Sequence, residues 1–197
     1  MHNALHDYHD PYELLNAASV LTPLLVTIWN VASEGATTRA LCVLVGWSAH
    51  APCAVAYHLF VATGQDADVM LRMDQTLQLF AAVTNFLAQT SDIHITLVFA
   101  CMCIHCAGNV ALWDLRTPLK TEDHTRAHTI AAAVVTSCLP MIFSGHIADF
   151  CTAVAAFLAG GALLSFNHPF FYTPFHLLLG VFAWSLVCRT PLFTTLT

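Results

Sequence analysis

Apolar residues run along this chain in blocks rather than in alternation, and short polar breaks divide the blocks. The first block covers about Ala17 to Ser33 and ends at Glu34-Gly-Ala-Thr-Thr-Arg39. The second covers Ala40 to Ala62 and ends before the turn Gly64-Gln-Asp-Ala-Asp68. A third runs from Asp74 to Thr90, and Ser91-Asp92 separates it from a fourth, Ile93 to Trp113. The longest polar stretch, Asp114 to His128, holds Pro118, a helix breaker. Thr121 can cap the helix that follows, with Glu122 and Asp123 at the positive end of its dipole. Three more blocks close the chain: Thr129 to Phe143, Ile147 to Phe166 and Phe170 to Val187.

Blocks of roughly 15 to 23 residues without period-two alternation predict membrane-crossing α-helices, not barrel strands. The expected fold is therefore an all-α membrane protein, a bundle of about seven transmembrane helices over residues 17–190. A polar segment, residues 1–16, precedes it, and a short tail, residues 191–197, follows. The fifth block is the weakest, and a re-entrant fifth and sixth pair would lower the count.

Composition agrees. The 197 residues are 57% hydrophobic and only 9% charged, with mean hydropathy +0.67. Soluble domains carry about 25% charged residues, so this chain could not cover a water-facing surface. Lipid removes that requirement. Six basic residues, with Lys120 the single lysine, form no run that could follow a phosphate backbone, which excludes nucleic acid as a partner. Membrane lipids and other membrane-protein subunits are the expected partners. The segment MHNALHDYHDPYELL lacks the basic start and apolar run of a signal peptide. Acidic and rich in histidine, it has no reason to order alone in water and is expected to pack on another chain.

Basic residues in short loops orient a membrane protein. Seven spans place Arg72, Arg116, Lys120 and Arg126 on the N-terminal side and Arg39 and Arg189 on the other. The count favours an N-terminus in the cytoplasm or, for an organellar inner membrane, in the matrix.

The eight cysteines lie in or beside apolar blocks and read as small buried side chains, not as a disulfide framework. The run Cys101-Met-Cys-Ile-His105-Cys106 lacks the CxxC pairs of a zinc site. His124 and His128, at i and i+4, lack the glutamate of a zinc protease. His50 and His105 could flank a haem, with no diagnostic spacing. Ser48, Ser144 and Ser165 lack a nucleophile elbow. Pro52 is expected to kink the second span, and Gly160-Gly161 to allow close helix contact.

Polar residues inside the spans carry the stronger signal, because ionisable groups in a membrane are costly and face a bundle interior. His58 ends the second span, Asp74 opens the third, and His176 lies two turns into the seventh. Alternating span directions put all three at similar depth. Two imidazoles and a carboxylate there could hold zinc, or could hydrogen-bond across helices.

The layout resembles the CREST superfamily, which includes alkaline ceramidases, progestin and adipoQ receptors and myomaker-like proteins. The matching stretches are Tyr57-His58-Leu-Phe, Leu71-Arg-Met-Asp74-Gln-Thr-Leu-Gln-Leu-Phe80 and Tyr172-Thr-Pro-Phe-His176-Leu-Leu-Leu-Gly180. The resemblance implies zinc held by His58 and by an HxxxH pair ending at His176, with Asp74 holding the metal-bound water. Two positions depart from that pattern. Tyr172 stands where the first histidine of HxxxH would be, and Ala54 where a serine is expected. A hydrolytic zinc uses three protein ligands and a water, and a neutral tyrosine is a poor third ligand. The expected function is a non-catalytic membrane subunit or scaffold of a larger complex, with no cofactor. The alternative is a zinc-dependent amide hydrolase acting on a ceramide-like lipid, with Asp74 catalytic.

Overall fold

The computed structural model describes residues 11–89, 103, 105, 124–166 and 168–188. Every regular element among them is a helix. The first apolar block folds as two pieces, α1 (Pro11–Ser19) and α2 (Thr22–Glu34), divided at Val20-Leu21. Pro23 lies at the start of α2, where a missing N–H costs nothing, and Gly35 takes φ 93° after its end. Next come α3 (Thr38–Ala62) and α4 (Asp68–Gln89). The Thr37 side chain caps α3 by accepting from the Ala40 N–H. Beyond the break in the description lie α5 (His124–Phe143) and α6 (Ile147–Leu164). A 3-10 turn, Pro169–Phe171, then leads into α7 (Tyr172–Val187).

Among the described residues, four helical stretches are long and apolar enough to cross a membrane: Pro11–Glu34, Thr38–Ala62, Ile147–Leu164 and Pro169–Val187. The chain is accordingly a multi-pass helical membrane protein. Ile130–Phe143 in α5 is a shorter apolar stretch. Although α4 has 22 residues, its buried set includes Arg72, Asp74, Thr84, Asn85 and Gln89, polar groups that suit a helix facing other helices more than lipid. The fourth block of the sequence lies outside the described residues except for Cys103 and His105, both helical.

The central core joins Ala40, Val43 and Trp47 of α3 to Cys138 and Met141 of α5, Ala153 and Ala156 of α6, and Phe182, Ala183 and Leu186 of α7. Small residues set the closest approaches, as expected where no water drives helices together. A Cβ at Gly160 would lie 2.6 Å from Phe175 Cδ2, whereas Gly161 has nothing within 4 Å, so only the first glycine of that pair is a contact. A Cβ at Gly46 would collide with Thr84 Oγ1 and come within 3.0 Å of the Ala81 Cα. Replacing Gly46 by Val should force α3 and α4 apart and cost about 1–3 kcal/mol or more. Thermal unfolding in detergent should show a clear loss for Gly46→Val and almost none for Gly161→Ala. Equal behaviour of the two variants would contradict the close α3–α4 contact.

Two boundaries differ from the sequence expectation. Helix α1 begins at Pro11, so residues 11–16 of the expected polar segment lie in a helix packed on the bundle. Helix α4 begins at Asp68, six residues before the expected start, which puts Asp74 nearly two turns inside. Arg72 likewise lies inside α4, fully buried, with its Nε donating to Asp68 Oδ2 at 3.0 Å. A buried, paired arginine does not contact lipid headgroups, so its weight in the loop-charge count is removed.

Candidate functional site

The stripe His50, Ala54, His58 runs along α3 at four-residue intervals, and all three residues are buried. At its end, His58 meets His176 of α7, ring centroids 5.2 Å apart and planes at 77°. Tyr172, one turn before His176, closes the group with ring centroids 5.9 Å from His58 and 6.4 Å from His176. Tyr57 flanks His58 at 5.0 Å, and Phe175 flanks His176 at 5.5 Å. The structure thus brings His58, His176 and Tyr172 together. These are the residues singled out from the second and seventh spans.

Their hydrogen-bond partners come from α1. His58 Nδ1 lies 2.6 Å from Glu13 Oε2, both side chains buried. His176 Nδ1 lies 2.9 Å from Ser19 Oγ. The Ser19 hydroxyl donates to the Asn16 carbonyl at 3.1 Å, which leaves its oxygen to accept from His176 Nδ1–H. A carboxylate beside His58 likewise favours the proton on Nδ1. Both imidazoles therefore hold their protons toward α1 and present the Nε2 lone pairs elsewhere.

Between these two links sits Asn16. Its Nδ2 donates to the Pro169 carbonyl at 3.1 Å, and its Oδ1 accepts from Thr173 Oγ1 at 2.7 Å. Glu13, Asn16 and Ser19 recur every third residue and so share one face of α1. Sequence reasoning passed over all three. Glu13 and Asn16 fell in the segment assigned as a polar tail, although their three-residue spacing was a readable signal.

Asp74 is engaged deeper in the bundle. Its Oδ1 lies 2.8 Å from His50 Nε2, and Gln78 Nε2 donates to its Oδ2 at 3.2 Å. The His50 contact is an ion-pair distance without an aligned N–H bond, and no hydrogen-bond partner for His50 Nδ1 lies among the described residues. The Trp47 ring packs edge-on against His50 at 5.7 Å. His50 is eight residues from His58, about 12 Å along a helix, which sets the Asp74 pair at a different level from the His58–His176 group.

The remaining candidates are placed as follows. His105 is buried, and Cys103 is exposed; the rest of the run from Cys101 to Cys106 lies outside the described residues. His124 and His128 belong to α5 by backbone. Ser144 and Ser165, each just past the end of a helix, donate to the carbonyls of Pro140 and Ala162 in the last turn. His168 caps the 3-10 turn, its Nδ1 accepting from the Phe170 N–H at 3.2 Å. Pro52 lies inside α3.

Among the described residues no group of three or more His, Cys, Asp or Glu side chains is placed to hold a metal ion. The donor set fits a hydrolytic zinc incompletely: two imidazoles converge, the third position is a phenol, and the carboxylate that would hold a metal-bound water sits against His50. The chain matches no protein-family model, no curated protein and no solved structure.

Proposed function

We propose that this chain is a non-catalytic subunit or scaffold of a larger membrane complex. It is built on a bundle of seven helices like that of the CREST superfamily, with the family's zinc site turned into a hydrogen-bonded network. The observation that carries the reading is the set of pairings around the two histidines. Glu13 holds His58, Ser19 holds His176, and Tyr172 fills the third position, so the polar groups tie α1 to α3 and α7. A network of this kind fixes helix register and satisfies groups that would be expensive unpaired in a membrane. The acidic, histidine-rich sequence ahead of α1, which lies outside the described residues, supports the assembly by its composition, that of a segment with no reason to order except on a partner.

A second reading, a zinc-dependent amide hydrolase acting on a ceramide-like lipid, is favoured by one specific feature. Histidines that ligate metals commonly hold their other ring nitrogen on a carboxylate or hydroxyl. Both Nδ1 atoms are held in this way here.

Gentle extraction from the native membrane, followed by native-gel sizing and metal analysis, separates the two. The subunit reading expects the chain to migrate with other proteins in fixed ratio and to carry far less than one zinc per chain. A chain that migrates alone with one zinc and cleaves a lipid amide would establish the hydrolase.

A further inference from the structure

The attachment of α1 to the bundle is unusual for a membrane helix. Of its nine residues, Glu13, Asn16 and Ala17 are buried, and Ala17 is the only apolar one among them. Its large apolar residues, Tyr12, Leu14 and Leu15, are 42%, 49% and 50% exposed. The helix turns its polar face inward and its apolar face outward. It is held by side-chain hydrogen bonds rather than by buried hydrocarbon, with Glu13 to His58, Asn16 to Thr173 and the Pro169 carbonyl, and Ser19 to His176.

Location makes those bonds exchangeable. The stretch Pro11–Glu34 has 24 residues, about 36 Å if straight, against a hydrocarbon core of about 30 Å. One end therefore reaches the headgroup layer, where water can replace a side-chain partner. The exposed aromatic rings beside α1 suit that layer: Tyr12 meets His168 and Phe170 edge-on, and Phe166 stacks on Phe171 at 4.9 Å. Two turn residues, Val20 and Leu21, join α1 to α2, and there the backbone ladder narrows to a 3.3 Å bond from the Leu21 N–H to the Ala18 carbonyl, a point at which α1 can hinge while α2 stays packed. Short elements with few buried apolar contacts are the ones that open locally.

We propose that α1 is a detachable cap over the His58–His176 pair, and that its release opens the two imidazoles to water-borne solutes of the headgroup layer. The cap does not depend on whether the pair is structural or catalytic, so its test stands apart from the metal analysis above.

The test is carbethoxylation of the full chain in nanodiscs by diethyl pyrocarbonate, read by mass spectrometry at each histidine. Asn16→Ala removes two links without touching either imidazole. It should raise the modification rates of His58 and His176 about tenfold, since two part-buried hydrogen bonds are lost. His50, deeper on the same helix, serves as control and should keep its parent rate. A disulfide between Asn16→Cys and Thr173→Cys should lower the His58 and His176 rates below the parent, and reduction should raise them above it, because the reduced variant lacks both Asn16 links. Unchanged rates at His58 and His176 in Asn16→Ala, or a parallel rise at His50, would overturn the proposal. If Asn16→Ala does not fold, the disulfide variant decides alone, and a rate unaffected by locking is equally fatal.

Discussion

Replacing Tyr172 by His should turn a chain with little zinc into one carrying about one zinc per molecule. The change rebuilds the HxxxH spacing on α7, with the new ring one turn from His176 on the same face. Two of the three imidazoles already meet there. A zinc–nitrogen bond of about 2.0–2.1 Å and a tetrahedral angle put neighbouring imidazole centroids roughly 5 Å apart, and His58 and His176 stand at 5.2 Å. Tyr172 already lies 5.9 Å and 6.4 Å from them, ring to ring. With Glu13 and Ser19 holding the two Nδ1 atoms, little reorganisation is needed for the Nε2 atoms to bind. The measurement is zinc per chain by plasma mass spectrometry after dialysis, parent against variant. A parent with stoichiometric zinc would favour the hydrolase reading. A correctly folded variant that gains none would discard the resemblance on which the zinc site rests.

Hydropathy made most of the helices legible, because a membrane span must be both long and apolar and the polar breaks are few. The second, sixth and seventh blocks lie within two residues of α3, α6 and the Pro169–Val187 stretch at each end. Hydropathy reads poorly where a helix buries polar groups. The third block was placed late at Asp74 because Asp68 and Arg72 look like loop residues, yet both lie in α4, and Arg72 is buried against Asp68. The same blindness affected Glu13 and Asn16, which read as a tail and are buried pairing groups. The His58–His176 encounter followed from span direction alone. The partner of Asp74 did not, since an error of six residues in a helix start moves a side chain by nearly two turns, far enough to exchange one histidine of α3 for another.

The second large effect is expected at that exchanged pair. His50 and Asp74 are both buried, 2.8 Å apart. Replacing His50 by Leu removes that partner and leaves Asp74 with Gln78 as its remaining polar contact among those described above. Breaking a buried pair by removing one partner costs about 3–5 kcal/mol, because the other charge stays desolvated and uncompensated. For a chain of this size that is a fall in unfolding temperature on the order of 10 °C. Replacing both partners, His50→Leu with Asp74→Leu, removes the charge together with its counterpart and should recover most of the loss. The readout is the double-mutant cycle of unfolding temperatures in one detergent. A double variant as unstable as the sum of the single ones would mean that the two side chains do not interact. A harmless His50→Leu would mean that Asp74 is already neutral or finds another partner. The cycle also bears on the proposed function. A structural network predicts a strong coupling between His50 and Asp74 and none between Asp74 and Tyr172. A carboxylate shared with the His58–His176 group would couple to both.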